Sequence, residues 1–402
     1  MTSQDDELAN INRESTRRRL LQVVGSIGLL GTAGCLGGTL SDGSDATPTE
    51  SDGSTSSTTK PNESSSSTGT IRDIGEGTVT DANGRTVELS DRIEEVVAVG
   101  PGALNLVAYL DATDMVVGVE ESEHSWGTDI PYNVANPHLR DLPVVGPHKG
   151  GDPELIVDAD PDVVVATYFT AGSADDLQRK IDRPVVVVKA QSRPLHRLQK
   201  AYDDLRFLAG IVGKEDRAET VIDFFESERT ALEERATAVP DGERRDVYFA
   251  GRSDSGGAGA TSTQYPFAPF SFVNAANVAD SISGHATVNE EKLLTWDPSA
   301  VFVSGSNRDR VTDAFSAGQY SSLRAVEEGN LYTLLPTRFY GNLYGNVLAD
   351  AYYVGSVLYP EAFSDVDPVS RTGDIYETLF ETDVEVYDEL ADSFGGFGHI
   401  EL

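Results

Sequence analysis

The 402-residue sequence predicts an α/β protein of two lobes, each built on a mostly parallel sheet, joined by one long rigid α-helix beside a cleft. Three observations predict it. Short Val-rich strands alternate with helical stretches, and continuously apolar strands are those buried on both faces of a parallel sheet. A charged, periodic stretch, Glu215–Ala238, then interrupts the alternation. At about 1.5 Å per residue it reaches roughly 36 Å, enough to run across more than one lobe. Finally, one phrase occurs on each side of that stretch: PELIVDADPDVVVA from Pro153 and NEEKLLTWDPSAVFVS from Asn289. Each carries a glutamate seven residues before a proline, Glu154 to Pro161 and Glu291 to Pro298, and then a β-branched run. A crossover helix inside one sheet is the alternative reading of 215–238.

Residues 1–35 read as an export signal. Thr16-Arg17-Arg18-Arg19-Leu20-Leu21 fits the twin-arginine pattern, and the apolar run from Leu20 to Ala33 stops at Thr32-Ala33-Gly34-Cys35. That run is shorter than the ~20 apolar residues a bilayer span needs; an amphipathic N-terminal helix is the other reading. Cys35, the only cysteine, resembles a lipobox cysteine. Lipidation there would anchor the chain to the outer face of the cell membrane and leave no thiol for disulfides or metals; a free thiol or an unlipidated signal are the alternatives. Residues 36–70 read as a disordered tether, because 16 of the 29 residues in 41–69 are Ser or Thr and none is large and apolar. Asn62-Glu63-Ser64 is a glycosylation sequon.

An N-terminal lobe is assigned to 71–194, a helical region with the connecting helix to 195–239, and a C-terminal lobe with closing helices to 240–402. TVTDANGRTVEL at 78–89 reads as a hairpin turning at Asn83-Gly84. N-lobe strands are expected at Val96–Val99, Met115–Val119, Val163–Thr167 and Val185–Lys189, with helices Ala103–Leu110 and Ala174–Ile181 between them. The helical region Leu195–Val239 pauses only at Gly210–Gly213. Strands Asp246–Ala250, Val301–Val303 and Leu331–Leu335 follow, then helical stretches Leu343–Tyr359 and Thr372–Ser393.

The net charge is −35, from 31 basic and 66 acidic residues, and the acids are spread over the globular part. That disfavours nucleic-acid binding. A dispersed acidic surface poor in lysine resembles proteins of extreme halophiles, in which high salt screens self-repulsion, and it predicts salt-dependent folding.

VTDANGRTVEL, RIEEVVAVGPGALNLVAYLDATDMVVGVE and GNLYGNVLADAYYVGSVLYPEAF resemble, in that order, the opening hairpin, first strand–helix–strand unit and C-terminal helix of a family. It is the family of solute-binding proteins that serve ABC importers of ferric siderophores, haem and cobalamin. The likeness covers about 76–400 and, with the export signal, is of a haloarchaeal-type lipoprotein. It implies a class III periplasmic-binding-protein fold of two Rossmann-like lobes, a monomer that binds and delivers without catalysing, no resident cofactor, and an ABC permease dimer as partner.

Ligands of α/β sheets lie beyond the carboxyl ends of the strands, and pockets favour interdomain clefts. The residues after each strand therefore give the candidate ligand-binding set: Trp126, Tyr168 and Phe169 in the N-lobe, and Arg252, Tyr265, Phe270, Arg338 and Tyr340 in the C-lobe, with His148, just ahead of the first copy of the repeated phrase, added to it. Tyr265, Phe267 and Phe270 fall on a stretch read as one long loop after a strand. Aromatics at strand ends suit a large flat ligand such as an iron chelate or corrinoid. Arg193, Arg252, Arg308 and Arg338 offer planar bidentate donors to its anionic oxygens, unless each pairs with a surface acid. Bare metal binding would draw on His124, His148 and His285 with Glu121 and Glu123, and direct oxyanion binding of the molybdate or tungstate type stays open. No G-x-S-x-G, H-E-x-x-H or phosphate-loop motif supports an enzyme. A surface adhesion protein would share the anchor and tether without needing a cleft.

The repeated phrase has a local reading. Asp152 and Asn289 suit helix N-caps, Pro153 suits a first helical position, and an early glutamate favours the helix dipole. The resemblance adds a second: Glu154 and Glu291 match the glutamates, one per lobe, that meet permease arginines, although Glu290 leaves the second frame open by one residue.

Overall fold

The computed structural model describes residues 77–189, 196, 198–253 and 257–402. The signal, the tether, Cys35, Asn62 and Arg193 lie outside them. The chain begins with an antiparallel pair, β1 (Thr78–Thr80) and β2 (Thr86–Glu88), turned through Gly84 at φ +77. An L side chain at that φ is strained, so Asn-Gly suits the turn. The N-lobe sheet follows: β3 (Val96–Val99), β4 (Val116–Gly118), β5 (Val163–Thr167) and β6 (Val185–Val188), in the parallel order β4-β3-β5-β6.

Helices Gln199–Val212 and Glu215–Thr237 then run with one break, at Gly213, whose φ of +69 is the left-handed cap that ends the first. The C-lobe holds β7 (Asp246–Ala250), β8 (Ser262–Tyr265), β9 (Ala276–Asn277), β10 (Gly284–Thr287), β11 (Ala300–Ser304), β12 (Leu331–Leu334) and β13 (Gly398–His399). Its main sheet has the order β13-β12-β11-β7-β9, parallel except at β13, and β8 pairs with β10 separately. The fold is the expected two-sheet α/β class.

Two expectations are corrected. The stretch Thr372–Ser393 is two helices, Pro368–Phe380 and Val386–Phe394, separated where Glu381 turns to φ +49. The supposed loop of 253–272 contains β8 and the short helix Ala268–Phe272. Its aromatics are there to fill a core: the Phe267 and Phe249 rings stack at 3.8 Å, and Phe270 meets Phe302 edge-on.

Alternation along the strands divides the interior. Val96, Ala98, Val163, Val165, Val247, Phe249, Ala300 and Phe302 belong to one continuous core that includes Val221, Phe225 and Leu232 of the connecting helix. The alternate residues Val97, Val99, Val164 and Tyr248, Val301, Val303 face two separate cores on the outer sides. The inner faces of both sheets thus share one core through the helix. Polar ties reinforce it: Arg217 donates to the Tyr109, Thr378 and Leu379 carbonyls, while Glu228 accepts from Tyr352 and Arg371. The closing helices also return to the N-lobe, where Thr382 donates to the Ala135 carbonyl at 3.4 Å.

The repeated phrase forms the same device twice. Helices Pro153–Ala159 and Glu290–Trp296 have seven residues each, are capped by the Asp152 and Asn289 side chains, and end at left-handed Asp160 and Asp297. Pro161 or Pro298 and then β5 or β11 follow. Glu154 and Glu291 are both the second residue of their helices, so the two occupy equivalent helical positions. The neighbouring Glu290 accepts instead from Gln319 at 3.0 Å.

Candidate functional site

The carboxyl ends of β3, β4 and β5 and the loop after β12 meet. On the N-lobe side, Trp126 and His148 stack with ring centres 4.9 Å apart and planes within 11°. Phe169 lies over Gly150, 3.3 Å from where a Cβ would stand, and its carbonyl accepts from the Asn83 side chain. Tyr168 is 50% exposed, the largest opening of any tyrosine ring to solvent among the described residues. On the C-lobe side, Phe339 and Tyr340 reach across, with ring centres 5.6 and 5.5 Å from Trp126. Arg338 donates through Nη2 to the Tyr168 hydroxyl at 3.5 Å. The structure therefore brings Trp126, His148, Tyr168, Phe169, Arg338 and Tyr340 into one cluster shared by the two lobes.

Backbone conformation builds this arrangement. Lys149, Tyr168 and Tyr340 hold φ values of +67, +61 and +45, a left-handed region that costs a non-glycine residue of order 1 kcal/mol or more. Three such residues around one cluster indicate that the surrounding contacts dictate where these side chains stand.

Beneath the rings lies a carboxylate that strand-end reasoning passed over. Glu120 is 1% exposed and accepts from Gly100 N–H at 2.8 Å, Gly150 N–H at 2.7 Å and the Tyr340 hydroxyl at 2.6 Å. Tyr340 in turn accepts from Lys149 N–H at 3.1 Å. Burial pushes the Glu120 carboxyl above its usual range, against the pull of those hydrogen bonds. Next to it Glu123, buried and accepting from Tyr132 and Asn133, is pushed up to about 8 by burial, with the charge of Glu120 adding to the shift. Burial also raises the Tyr340 phenol, and Glu120 adds to it, so Tyr340 stays a donor. The signal for Glu120 was its position: it stands two residues beyond β4, directly ahead of Glu121.

Other candidates lie elsewhere. Phe270 is 1% exposed in the C-lobe core, so its ring is a packing element. Tyr265 lines a cavity of about 710 Å³, away from this cluster, with Asp246, Trp296 and the same Phe270. Asp246 begins β7, so this cavity opens at the amino end of the strand, opposite the end where Gly251 and Arg252 emerge. Arg252 is half-buried there and donates through Nε to Gln264 at 3.1 Å. The Arg308 side chain packs against Gly395. His124 contacts the Leu142 carbonyl and His285 contacts Ser262. Among the described residues no three His, Cys, Asp or Glu side chains are grouped to hold a metal ion, and no helix is long and apolar enough to cross a membrane.

Comparison with known proteins gives this architecture its context. A family model described as periplasmic binding protein matches residues 96–337. The molybdate-binding protein MolA of Haemophilus influenzae is 25% identical over 332 residues, covering 77% of this chain and 92% of the relative. The structure of MolA bound to molybdate superposes with a TM-score of 0.61 at 21% identity, covering 76% of this chain and 98% of the other. A TroA-like periplasmic binding protein FepB from Veillonella parvula gives 0.58 at 20% identity, covering 81% and 99%. A periplasmic haem-binding protein from Pseudomonas aeruginosa gives 0.50 at 20%, covering 67% and 94%.

Proposed function

The chain belongs to the periplasmic binding protein family and is an extracytoplasmic solute-binding protein of an ABC importer, not an enzyme; from that premise we propose that it captures a metal chelate between its lobes. The ligand class is that of ferric siderophores, haem or cobalamin. One observation carries the reading: an aromatic cluster shared by both lobes, with a guanidinium at its exposed edge. Stacked and edge-on rings offer a large apolar surface to a flat or greasy ligand, and Arg338 beside Tyr168 offers charge-assisted hydrogen bonds to its anionic oxygens. A tetrahedral oxyanion is the second reading, favoured by the 25% identity to MolA.

Arg338→Ala tests the choice. Calorimetry in high salt with a ferric chelate, haem and a corrinoid should show one ligand class binding the wild type and losing at least about tenfold in affinity in the variant. An unchanged dissociation constant removes Arg338 from the site. Binding of molybdate alone transfers the function to the second reading.

Delivery is assigned to Glu154 and Glu291. Both are exposed, both are the second residue of matching helices, and neither side chain has a partner among the described residues. Two such anions, one per lobe, suit basic groups on the two subunits of a permease. The protein works as a monomer, held to the outer face of the membrane by lipid on Cys35.

A further inference from the structure

The floor of the cleft has the chemistry of an anion site that is already filled. Gly100, Gly150 and Gly151 have φ values of +89, +143 and +69. Side chains rarely tolerate these angles, and a Cβ on Gly100 would stand 2.6 Å from the Thr167 carbonyl oxygen. Glycines here let the backbone turn its N–H groups toward a single point, the concavity that elsewhere binds phosphate or other anions. It lies at the carboxyl end of β3, where an α/β lobe receives its ligand. The occupant is the chain's own carboxylate. Glu120 takes Gly100 and Gly150 N–H directly, and Tyr340 of the other lobe closes the set.

We propose that Glu120 is a specificity-determining residue: it fills this amide nest, denies it to small oxyanions, and leaves Arg338 at the rim as the place for a ligand's negative charge. Two effects combine. The donors that would coordinate an oxyanion are engaged, and a second anion beside the buried carboxylate meets like-charge repulsion in a poorly solvated floor. The same bond from Tyr340 ties the excluded nest to lobe contact, because the phenol that donates to Glu120 also sits against Trp126 and His148. This inference rests on reading the interlobe cluster as the ligand site.

The test is titration of full-length wild type, Glu120→Ala and Glu120→Gln with sodium formate and with molybdate, at constant ionic strength, followed by tryptophan fluorescence and calorimetry. Formate has the chemistry of the group removed; molybdate is the larger tetrahedral anion. Glu120→Ala should bind formate at least about tenfold more tightly than the wild type, and molybdate where the vacated volume admits it. Glu120→Gln, which keeps the volume occupied, should gain neither. Wild type that binds molybdate as tightly as Glu120→Ala overturns the proposal, and so does a folded Glu120→Ala that gains no affinity for formate. If Glu120→Ala fails to fold, recovery when formate replaces chloride supports the proposal, and no recovery overturns it. Chelate binding without this gain overturns the exclusion alone. The gain without chelate binding overturns only the choice of ligand.

Discussion

At the scale of single residues, two buried carboxyls, Glu120 and Glu123, stand beneath the rings. Glu123 is pushed up to about 8 from 4.5, so the fold holds its proton across a range in which the unfolded chain has released it. Its contribution is complete below about pH 4.5 and is lost as pH rises through about 8. Glu123→Gln keeps the acceptor for Tyr132 and Asn133 without the titration. It should flatten the stability profile and exceed the wild type above pH 8 by more than about 1 kcal/mol, measured by denaturant melts across pH. Parallel profiles for the two proteins would mean that Glu123 does not titrate in that window. Six residues named from the sequence, Trp126, His148, Tyr168, Phe169, Arg338 and Tyr340, do converge, because the residues beyond strand ends come together where two lobes meet. Glu120 was not legible in the sequence, because its partners are two glycines 20 and 30 residues away and a tyrosine 220 residues away. Phe270 misled for a related reason: an aromatic after a strand serves a core as readily as a cleft, and only packing against Phe302 separates the two.

At the scale of elements, the long helix was legible from its period and its flanking strand rhythms, and the repeated phrase from its spacing. What the pattern concealed was the sharing of one core by both lobes. Leu232 is fully buried on the connecting helix within that core. Leu232→Ala should cost about 2–5 kcal/mol. Because the inner faces of both sheets drain into the same core, calorimetric melts should show one transition that moves as a unit. Two transitions, only one of them displaced by the substitution, would contradict the shared core. The elements missed in 253–287 are short strands and a single-turn helix, whose local sequences are too brief to carry a period. The split of the closing stretch rests on Glu381 adopting a left-handed turn that no glycine announces.

At the scale of the molecule, the proposed function has two lobes offer matching helices to one partner and a shared aromatic cluster to one ligand. Charge reversal of Glu154 and Glu291 together should abolish import in cells while leaving ligand affinity within about twofold in calorimetry. Lost affinity would assign these glutamates to the fold or the cleft instead. The proposed function has the interlobe aromatic cluster bind a metal chelate. Its most direct measurement uses Trp296→Phe, which leaves Trp126 as the sole tryptophan. Trp296 lies on the helix Glu290–Trp296, away from the cluster, so the remaining emission reports the cleft. Titrated in high salt with a ferric chelate, haem, a corrinoid and molybdate, this protein should show saturable quenching of Trp126 by one of the chelates and none by molybdate. Saturable quenching by molybdate alone, or no response to any chelate, would contradict it.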